Sequence, residues 1–403
     1  MSKRKVLWVS DSPRISYVGQ SVVGRECLNR LQKDYDVQAL GWGDAQVQDA
    51  VSVPYEVIPA LRSDMLNADK MSEYMEKAKP DILIMSHDPW MMQCLSEIKY
   101  RFPQTKYLGY ITIDGEPAYY GWYPFIKAYD KIISPSVFSK NTIEKRWIDI
   151  NVDVVPYGVN HDIFRIPKQG KPQLKADITN HYRNSPLDGY IDIAGKFVAI
   201  YVGANQDRKN LGLIHETWRE FEKGKENQVQ LLMFVHSADL KEQVGHYDLS
   251  VFAHDTDTLR IINIPQPVEI IGQFMAASDV LFHPSSGEGF GLTVLEAMAC
   301  GTVPIVLPYA AVTDFCNESN SYQIPYLSYV GGCHAHRAIS AVENALEVMN
   351  LAFSDHQRRY TLAMNAYNAS QRFTWDNCIQ GLTKSIEETL AIRRDVFYTT
   401  RIN

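Results

Sequence analysis

Short runs of apolar and β-branched residues recur along the first part of the chain and alternate with stretches of helical periodicity. Six of these runs predict strands, and they read KVLWVS, YDVQAL, DILIMS, KYLGYITI, KIISPS and VDVVPYG. A strand buried on both faces reads as a nearly continuous apolar run, and alternation with helices is typical of a parallel sheet covered on both sides. Residues 1–165 are therefore predicted to form an α/β domain with a Rossmann-like, doubly wound sheet.

A second series of the same kind follows a polar stretch of little periodicity, residues 166–195, which is predicted to be a linker or surface excursion. Its five strand-like runs are KFVAIYVG, VQLLMFVH, LRIINIP, DVLFHPS and TVPIVLP. Helices are predicted between them over residues 210–222 and 292–299. Residues 196–370 are therefore predicted to form a second Rossmann-like domain.

The part of the sequence from about Ala335 onward has an almost entirely helical pattern. Its last helix, within residues 371–403, is expected to cross back and pack on the first domain. Two open α/β sheets that face each other form a cleft at the carboxyl ends of their strands, where such sheets bind ligands. Functional side chains are therefore expected directly after strands.

The composition is that of a water-soluble globular protein, with 45% apolar and 22% charged residues in 403. The formal net charge of -7 gives no basic stripe of the kind that supplies most non-specific affinity for nucleic acids. The charge therefore disfavours DNA and anionic membranes as main partners. An acidic total is still compatible with a local basic patch.

Cysteine usage and the first residues bear on the cellular compartment. The six cysteines include no Cys-x-x-Cys pair, which favours reduced thiols. The run Cys333-His334-Ala335-His336 resembles a metal-binding sequence but has no second ligand cluster at a suitable spacing, so no metal is predicted. The apolar run Val6–Val9 is too short for a signal peptide or a membrane span. A cytoplasmic protein is expected, with peripheral contact to a membrane left open.

The stretch HPSSGEGFGLTVLEAMACGTVPIV carries the clearest chemical signal, because it places Glu288 in a turn after a strand and Glu296 eight residues later in a helix. Glycines at 287, 289 and 291 allow close approach of a ligand, and the free N–H groups at the helix start favour a phosphate. Carboxylates accept hydrogen bonds from vicinal hydroxyls. The pattern therefore suits a sugar nucleotide; for either glutamate alone, a helix cap or an ion pair is the alternative.

This stretch resembles the Glu-x7-Glu signature of retaining glycosyltransferases with the GT-B fold, in particular glycosyltransferase family four, also called glycosyl transferases group 1. The resemblance implies two facing Rossmann-like domains, with the acceptor on the first and the nucleotide sugar on the second. It implies that Glu288 faces the sugar hydroxyls as a catalytic and donor-binding residue and that Glu296 binds the ribose. The donor-binding residues implied within the stretch are Glu288, Gly289, Phe290, Gly291, Leu292 and Glu296.

Two further segments resemble the same family. In YVGANQDRKNLGLIHETW, the resemblance implies that Arg208 and Lys209 hold the donor diphosphate. A guanidinium fork and an ammonium group offset the negative charge of a departing pyrophosphate; a solvated turn is the alternative. VVPYGVNHDIF is similar to the interdomain junction, with Tyr157 in place of the usual asparagine, and it is interpreted as a hinge.

The first domain resembles the family more loosely. The loop SDSPRISYVGQ offers Gly19 as the glycine that contacts the donor phosphate, although packing of the following helix is an alternative. The loop is not Gly-x-Gly-x-x-Gly, so a nicotinamide site is disfavoured. His87 is aligned with a histidine near the donor sugar, or it caps a helix. Asp114 follows another strand and is a candidate to orient or deprotonate an acceptor hydroxyl, or it forms an Asp-Gly turn.

The resemblance, which is sharpest over residues 201–218 and 280–306, implies a retaining glycosyltransferase, a hexosyltransferase or related enzyme. It implies no metal and no cofactor, with a UDP- or GDP-sugar as co-substrate. The acceptor stays open among a glycan, a lipid-linked sugar, a metabolite, a protein and a hydroxymethylated DNA base, as in some phage enzymes. A nucleotide-sugar epimerase and a non-enzymatic sugar-nucleotide-binding module are the alternatives of other classes.

Overall fold

Two parallel sheets form the framework of the protein. The structure is a computed structural model that describes residues 3–16, 18–43, 50–182, 191–236, 257–262, 266–331 and 335–393. The first sheet contains β1 (Lys5–Asp11), β2 (Asp36–Trp42), β3 (Glu56–Ala60), β4 (Ile82–His87), β5 (Lys106–Ile111), β6 (Lys131–Ser134) and β7 (Val152–Val154), in the order β3-β2-β1-β4-β5-β6-β7.

The second sheet repeats this arrangement with six strands. They are β8 (Phe197–Ala204), β9 (Val229–His236), β10 (Leu259–Ile262), β11 (Val280–His283), β12 (Val303–Val306) and β13 (Tyr322–Gln323), in the order β10-β9-β8-β11-β12-β13. The direction of winding reverses between β1 and β4 in the first sheet and between β8 and β11 in the second. Each sheet therefore has a topological switch point, which confirms the two doubly wound domains.

Helices cover both sheets. Those in the described part of the chain are α1 (Gly19–Leu31), α2 (Ala68–Ala78), α3 (Leu95–Arg101), α4 (Tyr123–Lys127), α5 (Val137–Arg146), α6 (Lys171–Tyr182), α7 (Leu211–Phe221), α8 (Val268–Ala277), α9 (Leu292–Ala299), α10 (Val342–Ser354), α11 (His356–Ser370) and α12 (Trp375–Ala391). The predicted helices at 210–222 and 292–299 are confirmed as α7 and α9. Gly301, with φ +65°, follows α9 and ends it in the left-handed conformation that favours glycine.

The buried faces explain why the strands read as apolar runs. In β1, Val6 and Trp8 belong to one buried cluster, while Leu7 and Val9 belong to another on the opposite face of the sheet. Helices cover both faces, so every second residue is buried on one side and its neighbour on the other. This is the physical reason that nearly continuous apolar runs located these strands in the sequence.

The sequence prediction was wrong at the start of the region from about Ala335 onward. Where helices were expected, β15 (His336–Ile339) forms a strand, and it pairs in antiparallel fashion with β14 (Leu327–Val330), which was not predicted. All four residues of β14 are exposed, so no buried face marks this strand in the sequence. The pair instead joins the backbone of the first domain, because His336 N–H donates to the carbonyl oxygen of Glu116 at 2.7 Å.

Two smaller features of the structure also differ from the sequence predictions. The predicted linker 166–195 contains α6, whose Lys175 Nζ lies 2.5 Å from Asp279 Oδ2 and ties the helix to the second domain. Residues 183–190 lie outside the described ranges. Strands β3 and β13 were not predicted.

The last helix crosses back to the first domain, as expected. Tyr35 Oη donates to Glu387 Oε1 on α12 at 2.5 Å, and Arg30 Nε lies 3.4 Å from Asp376 Oδ1. Residues 394–403 lie outside the described ranges. Within those ranges, no helix combines the length and the apolar character that a membrane crossing requires.

Candidate active site

Most predicted site residues follow the strands that flank the two switch points, and Asp114 follows the next strand of the first sheet, β5. In the first domain, His87 is the last residue of β4 and Gly19 is the first residue of α1, which follows β1. In the second domain, Arg208 and Lys209 follow β8, and Glu288 follows β11. Open α/β sheets bind ligands at such points, because the loops diverge there and leave a crevice.

The Glu288 carboxylate is the centre of the second-domain site. Its Oε1 lies 2.5 Å from Lys209 Nζ and 2.9 Å from His283 Nε2, and its Oε2 lies 2.9 Å from Arg208 Nη1. Glu288 is 7% exposed. A buried carboxylate with three donors is well compensated, and this arrangement leaves room at Oε2 for one further hydrogen bond.

Charge interactions in this cluster outweigh burial for Glu288. Burial raises the pKa of this carboxyl, but Arg208, Lys209 and the bond from His283 hold it well below its ordinary value. Burial and the adjacent Arg208 lower the pKa of Lys209 to about 8. The cluster thus has two cationic side chains on one carboxylate, which leaves an excess of positive charge.

His283 is a functional candidate that sequence reasoning missed. It is buried at the end of β11, it stacks on Tyr201 with ring centroids 5.9 Å apart, and burial lowers the pKa of its imidazole. The neutral ring donates from Nε2 to Glu288, because an ionised carboxylate can only accept. A histidine at the last position of an apolar strand is the signal that was available in the sequence.

Two glycines of the loop between β11 and α9 lie directly against the first domain. A Cβ atom at Gly287 would lie 2.0 Å from the carbonyl oxygen of Asp114, and one at Gly289 would lie 2.7 Å from Thr112 Cβ. Both partners belong to the first domain. These glycines allow close approach of the two domains, and a contact of Gly289 with a donor stays a prediction.

The remaining residues of this loop have mixed surroundings. Gly291 has φ +94° and precedes α9, where a residue with a side chain would be strained. Phe290 is buried, with its ring centroid 5.1 Å from that of Tyr157, so any contact with a donor would come from its backbone. Leu292 opens the helix, and the first N–H groups of a helix lack intrahelical partners.

Glu296 lies one turn inside α9 and differs sharply from Glu288. Burial raises the pKa of its carboxyl to about 8. Among the described residues, no hydrogen bond or ion pair reaches this carboxylate. An unpaired, partly buried carboxyl is costly to ionise, so the group has an unmet requirement for hydrogen-bond donors.

Asp114 of the first domain meets two arginines of the second. Arg337 donates from Nη1 to the main-chain oxygen of Asp114 at 2.7 Å and from Nη2 to Oδ1 at 2.8 Å. Arg208 Nε lies 3.8 Å from Oδ2. The structure therefore brings Asp114, Arg208 and Glu288 together, and it adds Arg337, which no sequence pattern marked as a site residue.

His87 lies beside two acids at the first-domain switch point. Its Nε2 is 3.5 Å from Asp11 Oδ2 and its Nδ1 is 3.6 Å from Asp88 Oδ2. Burial lowers the pKa of His87, but Asp88 and Asp11 outweigh this effect and the pKa is raised overall. Asp88 also acts electrostatically on Arg208, which links this group to the opposite domain.

Gly19 and Tyr157, which were also predicted, differ in exposure, and exposed aromatic side chains follow Asp114 along the chain. Gly19 is exposed, and a Cβ atom there would meet nothing within 4 Å. Tyr119 and Tyr120 are exposed aromatic side chains, and Trp122 packs edge-on against Tyr119. Tyr157 is buried between the domains, with its ring centroid 5.1 Å from that of Tyr110, in keeping with a junction.

In the described part of the chain, no group of three or more His, Cys, Asp or Glu residues is arranged to hold a metal ion, and a metal-free site stays a prediction. Cys333 and His334 of the metal-like run lie outside the described residues. The five described cysteines are buried and free.

Solved structures share this two-domain arrangement. Sucrose-phosphate synthase from Thermosynechococcus elongatus superposes with a TM-score of 0.72 at 16% identity, covering 96% of this chain and 100% of that one. Anabaena HepE in complex with UDP-glucose superposes with a TM-score of 0.69 at 15% identity, covering 95% of this chain and 99% of that one. Two facing doubly wound domains with a returning C-terminal helix define the GT-B fold, and this chain has it.

The sequence comparisons give a family match over part of the chain. Residues 192–321, which lie in the second domain, match the family model described as "Glycosyl transferases group 1". D-inositol 3-phosphate glycosyltransferase of Acidothermus cellulolyticus is 25% identical over 248 residues, which are 60% of this chain and 49% of that protein. The chain thus spans about half the length of this relative.

Proposed function

We propose that the protein is a retaining glycosyltransferase that moves a sugar from a nucleotide-sugar donor to an acceptor hydroxyl. The observation that carries the proposal is the Arg208–Lys209 pair, which is held on buried Glu288 beside the N-terminus of α9. Two cations on one carboxylate leave positive charge for a diphosphate, and helix N–H groups add donors. The match of residues 192–321 to the glycosyl transferases group 1 model supports the same function.

The second domain supplies most of the groups that bind the donor in this proposal. Arg208, Lys209 and the α9 N-terminus bind the diphosphate, Glu296 accepts from the ribose hydroxyls, and the free capacity of Glu288 accepts from the sugar. Gly19 approaches the phosphate from the first domain. A UDP-sugar is the proposed donor, because HepE, which has the same fold, was solved with UDP-glucose; a GDP-sugar is the second choice.

The acceptor side follows from the first domain. The Asp114 carboxylate accepts the hydrogen bond of the acceptor hydroxyl and orients it, and His87 lies at the neighbouring strand end. The bond from the anomeric carbon to the diphosphate oxygen breaks, and a bond to the acceptor oxygen forms on the same face. The departing diphosphate takes the acceptor proton, while Arg208 and Lys209 stabilise its charge. No metal takes part in this scheme.

A donor panel tests the proposal directly. UDP-, GDP-, ADP- and dTDP-sugars are assayed for thermal stabilisation and slow donor hydrolysis, with wild type, Glu296→Ala, Arg208→Ala and the surface variant Arg358→Gln. One nucleotide sugar should stabilise wild type and Arg358→Gln, by about 2.7 kcal/mol at a ligand concentration one hundred times Kd. Both site variants should lose this effect.

The other outcomes of this panel separate the alternatives. Absence of stabilisation by every nucleotide sugar, or stabilisation that persists in both site variants, contradicts the proposed site. Recovery of an isomerised sugar nucleotide indicates an epimerase, whereas binding without hydrolysis or transfer to any hydroxyl indicates a binding module. With a productive acceptor, the anomeric configuration of the product, read from its NMR coupling constant, tests retention.

A further inference from the structure

The β14–β15 hairpin connects the second domain to the first. It follows β13, and a β-bridge joins His336 to Glu116. Tyr309 adds to this connection, since its Oη donates to the carbonyl oxygen of His336 at 2.6 Å and accepts from Glu116 N–H at 3.2 Å. The hairpin is therefore anchored on the segment that carries Asp114.

Arg337 projects from this hairpin toward the site. Successive side chains of a strand point to opposite faces, so Arg337 lies opposite to His336, whose ring pairs with Ser328 Oγ at 3.0 Å. The Arg337 side chain is 17% exposed and is held by two oxygens of Asp114. Arg337 also lies beyond residues 192–321, the part of the chain that matches the family model.

We infer that Arg337 is a positioning residue, which fixes the Asp114 carboxylate in the closed cleft and keeps it from pairing closely with Arg208. The inference rests on the proposed function, in which Asp114 orients the acceptor hydroxyl. Because Arg337 belongs to the second domain and Asp114 to the first, the acid takes its place only when the domains are closed.

Arg337 and Arg208 compete for the Asp114 carboxylate, and the distances favour Arg337. Asp114 makes contacts of 2.7 and 2.8 Å with Arg337, against 3.8 Å with Arg208. Without Arg337, the carboxylate is free to turn toward Arg208, where it no longer orients the acceptor hydroxyl and offsets the charge that stabilises the departing diphosphate in the transition state. A lysine cannot replace the guanidinium fully, since a point charge does not hold the carbonyl and the carboxylate in one plane.

A kinetic comparison of Arg337→Gln, Arg337→Lys, Asp114→Asn and the double variant Arg337→Gln/Asp114→Asn tests the inference, with Arg358→Gln as the matched loss of a surface guanidinium. Arg337→Gln should lower kcat by more than about tenfold, and the donor KM should change by less than about threefold. Arg337→Lys should be intermediate. The double variant should be no slower than Asp114→Asn. Multiplicative losses in the double variant, or a loss confined to donor KM, would overturn the inference.

Small-angle scattering of the unliganded protein gives a readout that does not require activity. Arg337→Gln should increase the radius of gyration relative to wild type, and Arg358→Gln should not. If no donor binds to wild type, the proposed function fails and scattering alone decides whether Arg337 holds the closed cleft. An unchanged radius in Arg337→Gln overturns the inference in that case.

Discussion

Gly287 of the second domain lies against Asp114 of the first, so closely that a Cβ atom at position 287 would be 2.0 Å from the Asp114 carbonyl oxygen. The same oxygen accepts from Arg337 Nη1 at 2.7 Å. Loops from the two domains therefore meet without a side chain between them. Closure of the cleft depends on the absence of one methyl group.

Gly287→Ala should hold the cleft open. A contact of this kind is relieved by separating the domains, because each loop is fixed to its own sheet. Small-angle scattering should show a larger radius of gyration, and sugar transfer should fall more than donor affinity, because the proposed donor-binding residues lie mainly in the second domain. Gly19→Ala is the matched control for scattering, because its added methyl group enters open space. An unchanged radius with unchanged transfer would show that the loops yield locally.

Glu288→Gln should destabilise the second domain. The substitution leaves Lys209 and Arg208 without their shared anion, and removal of one partner from a buried ion pair costs about 3–5 kcal/mol. The loss should shrink above pH 8, because Lys209, whose pKa is lowered to about 8, then sheds its proton. Urea midpoints at pH 7 and pH 9 measure both effects. The double variant Glu288→Gln/Lys209→Met is the control and should recover part of the loss at pH 7.

The second-domain half of the site could be predicted because its residues follow neighbouring parallel strands. Arg208 and Lys209 come after β8 and Glu288 after β11, and adjacent strands in a doubly wound sheet end at the same edge. The sequence could not show that Glu288 Oε1 accepts hydrogen bonds from both Lys209 and His283. Which side chains bond to a buried carboxylate depends on their rotamers and burial.

The contact between Arg337 and Asp114 could not be predicted from the sequence, for a different reason. Arg337 and Asp114 are 223 residues apart, and the hairpin that joins them has an exposed strand without a buried face. Hydrophobic periodicity reports burial in a core, so it gives no signal for a strand that forms a bridge on the surface. The glycines at 287 and 289 could be seen in the sequence. Their close contact with Asp114 and Thr112 of the opposite domain could not be predicted from it.

Gly19→Ala should separate a ligand effect from a packing effect. A Cβ atom at this position meets nothing within 4 Å, and alanine is the better helix former at the start of α1, so stability should stay the same or rise slightly. If the Gly19 loop approaches the donor phosphate, the methyl group should weaken nucleotide-sugar binding. Calorimetric titration beside a thermal melt measures both quantities. Unchanged affinity would remove Gly19 from the donor site and leave helix packing as its role.

Glu296 should make stability depend on pH in a direction opposite to that of an ordinary paired acid. Burial raises the pKa of this carboxyl from 4.5 to about 8, so between these values the folded chain keeps a proton that the unfolded chain has lost. The contribution of Glu296 to the free energy of unfolding therefore falls as pH rises through this window, by up to about 1.4 kcal/mol per pH unit.

Urea midpoints of wild type and Glu296→Gln from pH 5 to pH 9 test this directly, with the exposed Glu347→Gln as the control for loss of a carboxyl. Relative to Glu296→Gln, wild type should lose stability steadily toward pH 8 and change little above it. A nucleotide sugar whose hydroxyls donate to Glu296 favours the ionised form, so binding to wild type near pH 7 should release a proton that binding to Glu296→Gln does not. Calorimetric titrations in buffers of different ionisation enthalpy count that proton. Parallel stability curves for wild type and Glu296→Gln would mean that solvent reaches the carboxyl, and equal proton release in both proteins would place the ribose elsewhere.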